Sequence, residues 1–268
     1  MIKIVFTDVD GTILDGIRGF PYVSQRNLYA LRRLKEKGIY VIISSGRSHS
    51  IINQEIIDIK PDGYVLCNGS YVEVKEKVIY KDLMNKSTIG HIMKCTDACR
   101  GLTIFETQEG VYSTENNEKI ISFFKKEWNM PMLEFKFGDP LKHEVYKMLP
   151  AFLNEEECKM FEKMIGNSYE IRRQKGMFAY DVTSKNIHKG EAVKKVLEYL
   201  DITKDEAIAF GDGANDIDML IEAGTGVSVA NGDPRLKEVA DDICEDCLDD
   251  GFYKWLVKND IIDEDIKI

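Results

Sequence analysis

Short apolar runs, each stopped by small and acidic residues, alternate along this chain with stretches whose apolar positions recur every three or four residues. Ile2 to Thr7 is rich in β-branched and aromatic residues and ends at Asp8-Val9-Asp10-Gly11, which predicts a buried strand entering a tight loop. Ser24 then opens a helical pattern with Leu28, Leu31 and Leu34 on one face, closed by Lys37-Gly38. Ile39 to Ser44 repeats the strand pattern and His49 to Asp58 the helical one. Tyr64 to Cys67 is a third strand, ending at Asn68-Gly69. This succession predicts an α/β fold built on a parallel, doubly wound sheet.

The rhythm then changes. Tyr71 to Tyr80 alternates and turns near Glu76-Lys77, which predicts a hairpin. Helices are expected over Ser87–Arg100 and Glu155–Ile165, with strands near Thr103 and Lys142, at Tyr169–Arg173 and at Met177–Val182. Phe178, Tyr180 and Trp128 read as core aromatics of this module. The parallel rhythm resumes with a helix over Lys189–Leu200, a strand over Ala207–Phe210, a helix over Asn215–Glu222 and a strand over Gly226–Ala230. Asp233-Pro234 then starts a further helix. The expected organisation is one discontinuous core, residues 1–82 with 186–268, interrupted by an inserted α+β cap domain at 83–185.

Composition supports a folded protein: 44% of the 268 residues are hydrophobic and 31% charged. The formal net charge of −10 repels nucleic acid and anionic lipid, so neither is an expected partner. A phosphorylated ligand must then be drawn in by local cations and N–H groups. No apolar stretch approaches the roughly 20 residues that span a bilayer. The run Ile2–Phe6 is too short for a signal peptide and ends in acidic residues, so a cytoplasmic location is expected. Six cysteines do not form a disulfide framework in a chain of this size, and the Cys244/Cys247 pair has no second CxxC or nearby His to complete a zinc set.

The unusual polar residues fall at the carboxyl ends of the predicted strands, where open parallel sheets place their ligand crevice. Asp8, Asp10, Gly11 and Thr12 follow the first strand; Ser44, Ser45, Gly46 and Arg47 follow the second. Asn68 and Gly69 follow the third, and Gly211, Asp212, Gly213, Asn215 and Asp216 a later one. Two carboxylates one residue apart face one crevice only if the loop curls, which Gly11 permits. One carboxylate can then attack phosphorus while the other protonates the leaving oxygen and later activates water. Their mutual repulsion calls for a divalent cation, and Asp212 offers the second carboxylate for a magnesium ion. Asn215 is placed to hold phosphate or the attacking water. Asp216 begins a helix, where capping competes with metal ligation. Ser45-Gly46 offers a hydroxyl and N–H groups to a phosphate oxygen. Lys189 opens a helix, against the helix dipole, and a role beside the nucleophile accounts for it.

In order, Asp8-Val9-Asp10-Gly11-Thr12, Ser45-Gly46-Arg47, Lys189-Gly190 and Gly211-Asp212-Gly213-Ala214-Asn215-Asp216 resemble the four motifs of the haloacid dehalogenase superfamily. Asn68-Gly69, Val229-Ala230-Asn231-Gly232 and Asp249-Asp250-Gly251 are similar to its Cof-type subgroup. The resemblance implies a Rossmann-like core with a C2-type cap and a phosphatase acting on small phosphomonoesters. By motif position Asp8 would be the nucleophile and Asp10 the general acid/base. Mg2+ would be held by Asp8, the main-chain carbonyl of Asp10, and Asp212. Ser45, Gly46, Lys189 and Asn215 would grip the phosphate, supported by Asp216, Thr12, Arg47 and Asn68. Sugar phosphates, flavin mononucleotide and pyridoxal phosphate are the substrate types this implies. The alternatives are a sugar phosphomutase, for which Arg172-Arg173 is the one weak cap signal, and a phosphate-ligand sensor on a retired enzyme fold, which the intact motifs oppose.

Overall fold

Four buried residues, Ile4–Thr7, form the first strand, β1, in the interior of an eight-stranded sheet. The computed structural model describes residues 1–127, 133–174, 176–185 and 188–264. After β1 come α1 (Gln25–Glu36), β2 (Tyr40–Ser44), α2 (Gln54–Asp58), β3 (Gly63–Leu66), β4 (Tyr71–Val74) and β5 (Lys77–Lys81). Next are α3 (Lys86–Ala98), β6 (Leu102–Thr107), β7 (Gly110–Ser113), α4 (Glu118–Glu127) and β8 (Phe135–Phe137). They are followed by β9 (Lys147–Ala151), α5 (Glu155–Ile165), β10 (Glu170–Arg173) and β11 (Tyr180–Thr183). The chain continues through α6 (Lys189–Leu200), β12 (Ala207–Gly211), α7 (Ile217–Glu222) and β13 (Thr225–Val229). Its last described elements are α8 (Pro234–Val239), β14 (Asp242–Cys244) and α9 (Gly251–Lys258).

The chain divides into two units. One comprises Met1–Gly46, Ile52–Lys81 and His188–Ile268; the other comprises Arg47–Ile51 and Asp82–Ile187. In the first unit the strand order is β14-β13-β12-β1-β2-β3-β4-β5. The strands from β14 to β3 run parallel, and the β4–β5 hairpin adds two antiparallel strands at one edge. Ile4 of β1 lies opposite Ala207 on one side and Tyr40 on the other. Parallel strands covered on both faces are apolar throughout rather than alternating, which is why β1 reads as one continuous run. Ile4, Phe6, Ile42 and Val65 pack with Val193 and Val196 of α6 and Met219 and Leu220 of α7. Burying each such side chain contributes about 1.5–3 kcal/mol. The Ser24 hydroxyl accepts the Asn27 N–H to start α1, and Gly38, at φ +77°, lets the chain leave it. The exposed edge strand β5 carries Lys77 and Lys81, which discourage pairing with another chain.

The second unit is a six-stranded sheet, β10-β11-β9-β6-β7-β8, antiparallel except for the β7–β8 pair. Residues along β6 alternate between two cores, as a strand's period of two requires. Phe105 packs with Ile89 and Ile92 of α3 and with Cys158 and Phe161 of α5. Leu102 and Ile104 pack with Ile120 and Phe124 of α4 and with Ile51. Tyr180 is buried and Phe178 packs against the same core as Phe105. Trp128 lies outside the described residues. Arg172 pairs with Glu170 at 3.2 Å, and Arg173 with Glu155 at 2.6 Å.

Several elements depart from the sequence expectation for identifiable reasons. Residues 47–51 group with the second unit, because the Ser48 and His49 N–H groups donate to the Glu106 and Gln108 side chains. The helix expected over His49–Asp58 is accordingly split into a 3-10 turn at His49–Ile51 and α2. Near Lys142 there is a 3-10 turn, Pro140–Lys142, with proline in its first turn; the strand begins only at Lys147. The six cysteines are free and buried. Burial pushes the Cys244 and Cys247 thiols up to about 12, which leaves them unreactive.

Candidate active site

The site lies in the first unit, at the carboxyl ends of β1, β2, β3 and β12. The chain leaves β1 for β2 on one side and finds β12 on the other, the reversal of strand order that opens a crevice in a doubly wound sheet. Asp8 follows β1 directly, its N–H donating to the Phe210 carbonyl at 2.9 Å. Its side chain is buried and accepts a hydrogen bond from Lys189. Lys189 is fully buried at the start of α6, where the His188 ring accepts the Glu191 N–H at 3.4 Å and caps the helix. Its ammonium also donates to Asp216 Oδ1 at 2.6 Å and to the Ser44 carbonyl at 3.1 Å.

The loop after β12 supplies the other carboxylates. Asp216 Oδ2 accepts the Gly213 N–H at 2.8 Å and the Asp212 N–H at 3.1 Å, curling the loop around itself. Asp216 is thus committed to Lys189 through one oxygen and to the loop backbone through the other. Thr12 Oγ1 donates to Asp212 Oδ1 at 3.2 Å. Gly11, at φ +89°, passes so close to Asp212 that any Cβ there would collide with its carboxylate. One oxygen from each of Asp8, Asp212 and Asp216 lies within 4.8 Å of the others. Asp10 is exposed at the rim, while Ser45 is buried. Asn68, in a left-handed conformation at φ 58°, accepts through Oδ1 a hydrogen bond from Asn215 Nδ2 at 3.2 Å. Arg47 belongs to the second unit, and its guanidinium donates to the Ile51 carbonyl at 2.9 Å.

One bridging residue was outside the set expected from sequence. Asn231 donates through Nδ2 to the Gly11 carbonyl at 2.7 Å and accepts the Cys247 N–H at 2.9 Å. It joins the loop after β1 to the segment before α9. Its signal in the sequence was the Val229-Ala230-Asn231-Gly232 stretch after a strand, to which no site role was given.

Electrostatics define what the pocket can hold. Burial pushes the Asp8 carboxyl well above its usual range; Lys189 opposes this, while Asp216, Asp212 and Asp10 add to it. Burial and then Asp216 push Asp212 up to about 7, against Lys189 and the Thr12 hydrogen bond. Burial works against the Lys189 cation, but Asp216 and Asp8 outweigh it and hold the ammonium protonated. Three carboxylates therefore face one fixed positive charge. Oxygen donors at this separation, with two carboxyls pushed up by burial and by neighbouring carboxylates, fit a hard divalent cation.

The model of the family described as haloacid dehalogenase-like hydrolase matches residues 5–256. The chain is a haloacid dehalogenase-like hydrolase. Among this hydrolase's relatives is 5-amino-6-(5-phospho-D-ribitylamino)uracil phosphatase YcsE of Bacillus subtilis (strain 168), 29% identical over 258 residues and covering 94% of each chain. Phosphoglycolate phosphatase of Archaeoglobus fulgidus is 30% identical over 239 residues, covering 89% of this chain and 88% of its own. Among solved structures, a sugar phosphatase of HAD subclass IIB superposes with a TM-score of 0.81 at 28% identity, covering 97% of this chain and 100% of its own. This haloacid dehalogenase-like hydrolase is a phosphatase with a parallel-sheet core and a cap. Among its described residues no helix is long and apolar enough to cross a membrane.

Proposed function

We propose that the protein hydrolyses small-molecule phosphomonoesters through an aspartyl-phosphate on Asp8, with a magnesium-dependent site. The observation that carries this reading is the placement of Asp8 against Lys189, within 4.8 Å of oxygens of Asp212 and Asp216. An Asp8 oxygen attacks phosphorus and the ester oxygen departs, taking a proton from Asp10. Asp10 then accepts a proton from water, whose oxygen attacks phosphorus, releases phosphate and restores the Asp8 carboxylate. Lys189 donates to Asp8, opposing the upward pull of burial on its carboxyl, and offsets charge gathering on the phosphoryl oxygens. Ser45, Gly46 and Asn215 grip the phosphate, with Asn215 oriented by Asn68. Asp8, the Asp10 main-chain carbonyl and Asp212 would hold magnesium, with Asp216 and Thr12 orienting the loop. When bound, the ion supplies positive charge that lets the neighbouring carboxylates remain ionised.

Relatives named for phosphoglycolate, for a ribitylaminouracil phosphate and for sugar phosphates support a metabolite-sized substrate of this class. The test is phosphate release from a panel of sugar phosphates, phosphoglycolate, flavin mononucleotide and pyridoxal phosphate, with and without EDTA. Release that EDTA abolishes and added magnesium restores supports the proposal. Turnover indifferent to chelation would overturn the metal assignment.

A further inference from the structure

The residues that close β6 reach for a single stretch of chain. Glu106 Oε2 accepts the Ser48 N–H at 3.0 Å, and Gln108 Oε1 accepts the His49 N–H at 3.0 Å. The Thr107 carbonyl accepts from Ser50 Oγ at 3.5 Å, and Ile51 is buried among Leu102, Ile104 and Val111. The stretch also braces itself through Arg47 on the Ile51 carbonyl and through Ser48 Oγ and Ser50 Oγ, 3.0 Å apart. This segment begins one residue after Gly46.

Glu106 is fully buried, with Lys147 Nζ 2.9 Å away; that ammonium also lies 3.4 Å from Asp181, which accepts from Gln174 Nε2 at 2.8 Å. A buried ion pair stabilises a fold little better than apolar residues of the same size. Leu102, Ile104 and Leu149, at alternate positions on the same strands, show that apolar packing is available there. An apolar residue at position 106 could fill the space but could not accept the Ser48 N–H. The turn upstream is fixed separately: the Ser45 N–H donates to the Val65 carbonyl at 2.8 Å, and the Asn68 N–H donates to the Ser45 carbonyl at 3.2 Å. Ser45 is thus held by backbone of the first unit, and Ser48, three residues on, by Glu106.

We infer that Glu106, braced by Lys147 and assisted by Gln108, is a positioning residue for the phosphate-gripping Ser45-Gly46 turn. The inference rests on the reading above that this turn holds the substrate phosphate. Three variants test it: Glu106→Ala, Glu106→Gln and Gln108→Ala. Each is compared with wild type in para-nitrophenyl phosphate kinetics, inhibition by inorganic phosphate, and amide hydrogen exchange over residues 45–51. The two alanine variants are expected to speed exchange in this segment and to weaken inhibition by phosphate. They should also lower kcat/KM by about 10- to 100-fold, the scale of a small misplacement of reacting groups. Glu106→Gln keeps an acceptor for Ser48 and is expected to recover most of the loss. Should Glu106→Ala fail to fold, Gln108→Ala carries the same comparison. Faster exchange with unchanged phosphate inhibition and kcat/KM would overturn the inference and leave the phosphatase reading standing. So would a Glu106→Gln variant no better than Glu106→Ala. Wild-type protein that binds phosphate but turns nothing over would contradict the phosphatase reading alone, and the affinity comparison would still decide the inference.

Discussion

At the scale of single residues, the site is a problem of charge held out of water. Asp8, Asp212 and Asp216 crowd one pocket beside a single buried ammonium, so each side chain's role depends on what neutralises it. Replacing Asp8 with Asn removes the nucleophile, and steady-state assays should find phosphate release at background. Asp10→Asn should keep the fold and metal binding and lower kcat by about 10²–10⁴-fold, the usual worth of a general acid/base. The Thr12 hydroxyl donates to Asp212, the carboxylate assigned to the metal. Thr12→Val should therefore weaken magnesium affinity by about 10- to 100-fold, measured by titrating activity against metal, with little change in kcat at saturation. Lys189→Met strands two buried carboxylates, and breaking a buried pair costs about 3–5 kcal/mol. Its midpoint in denaturant should fall accordingly, more than for any exposed lysine.

At the scale of elements, loops carry the chemistry and the sheet carries the loops. Their convergence was legible in the sequence because β1, β2 and β12 are uninterrupted apolar runs that stop abruptly at Asp8, Ser45 and Asp212. Contacts across the fold were legible only in part. The place of Lys189 at a helix start, against the dipole, pointed to Asp8, but nothing local shows its second bond to Asp216, and nothing local to Asn231 shows that it spans Gly11 and Cys247. Asp216 starts a helix in the sequence pattern, but it draws the Asp212 and Gly213 N–H groups onto itself, so residues 214–216 form a 3-10 turn and α7 begins at Ile217. In the second unit the strand expected near Lys142 begins only at Lys147; β9 contains Pro150, a residue uncommon in interior strands, yet lies between β11 and β6. Asn231→Ala tests the stitch between elements. It leaves the Gly11 carbonyl and the Cys247 N–H without their partner and should cost about 1–3 kcal/mol in thermal or chemical unfolding.

At the scale of the whole molecule, a chain of net charge −10 must hold phosphate by local means, and the pocket's own titration sets the conditions. Asp212 titrates near 3.8 in an ordinary setting and at about 7 here. Between those values the folded, metal-free protein holds a proton that the unfolded chain has released. Stability from this group is thus full below about pH 4 and is lost as pH rises through about 7. Thermal midpoints of EDTA-treated protein should carry this falling contribution, and Asp212→Asn should remove it. Magnesium competes with the same proton, so its affinity should climb as pH rises through about 7.

The most direct test of the central claim is to quench turnover of a radiolabelled phosphomonoester in acid and map the label on the protein. The account predicts label on the peptide containing Asp8, more of it in Asp10→Asn, where the second step is slowed, and none in Asp8→Asn. Undiminished turnover in Asp8→Asn, or label on any other residue, would contradict it.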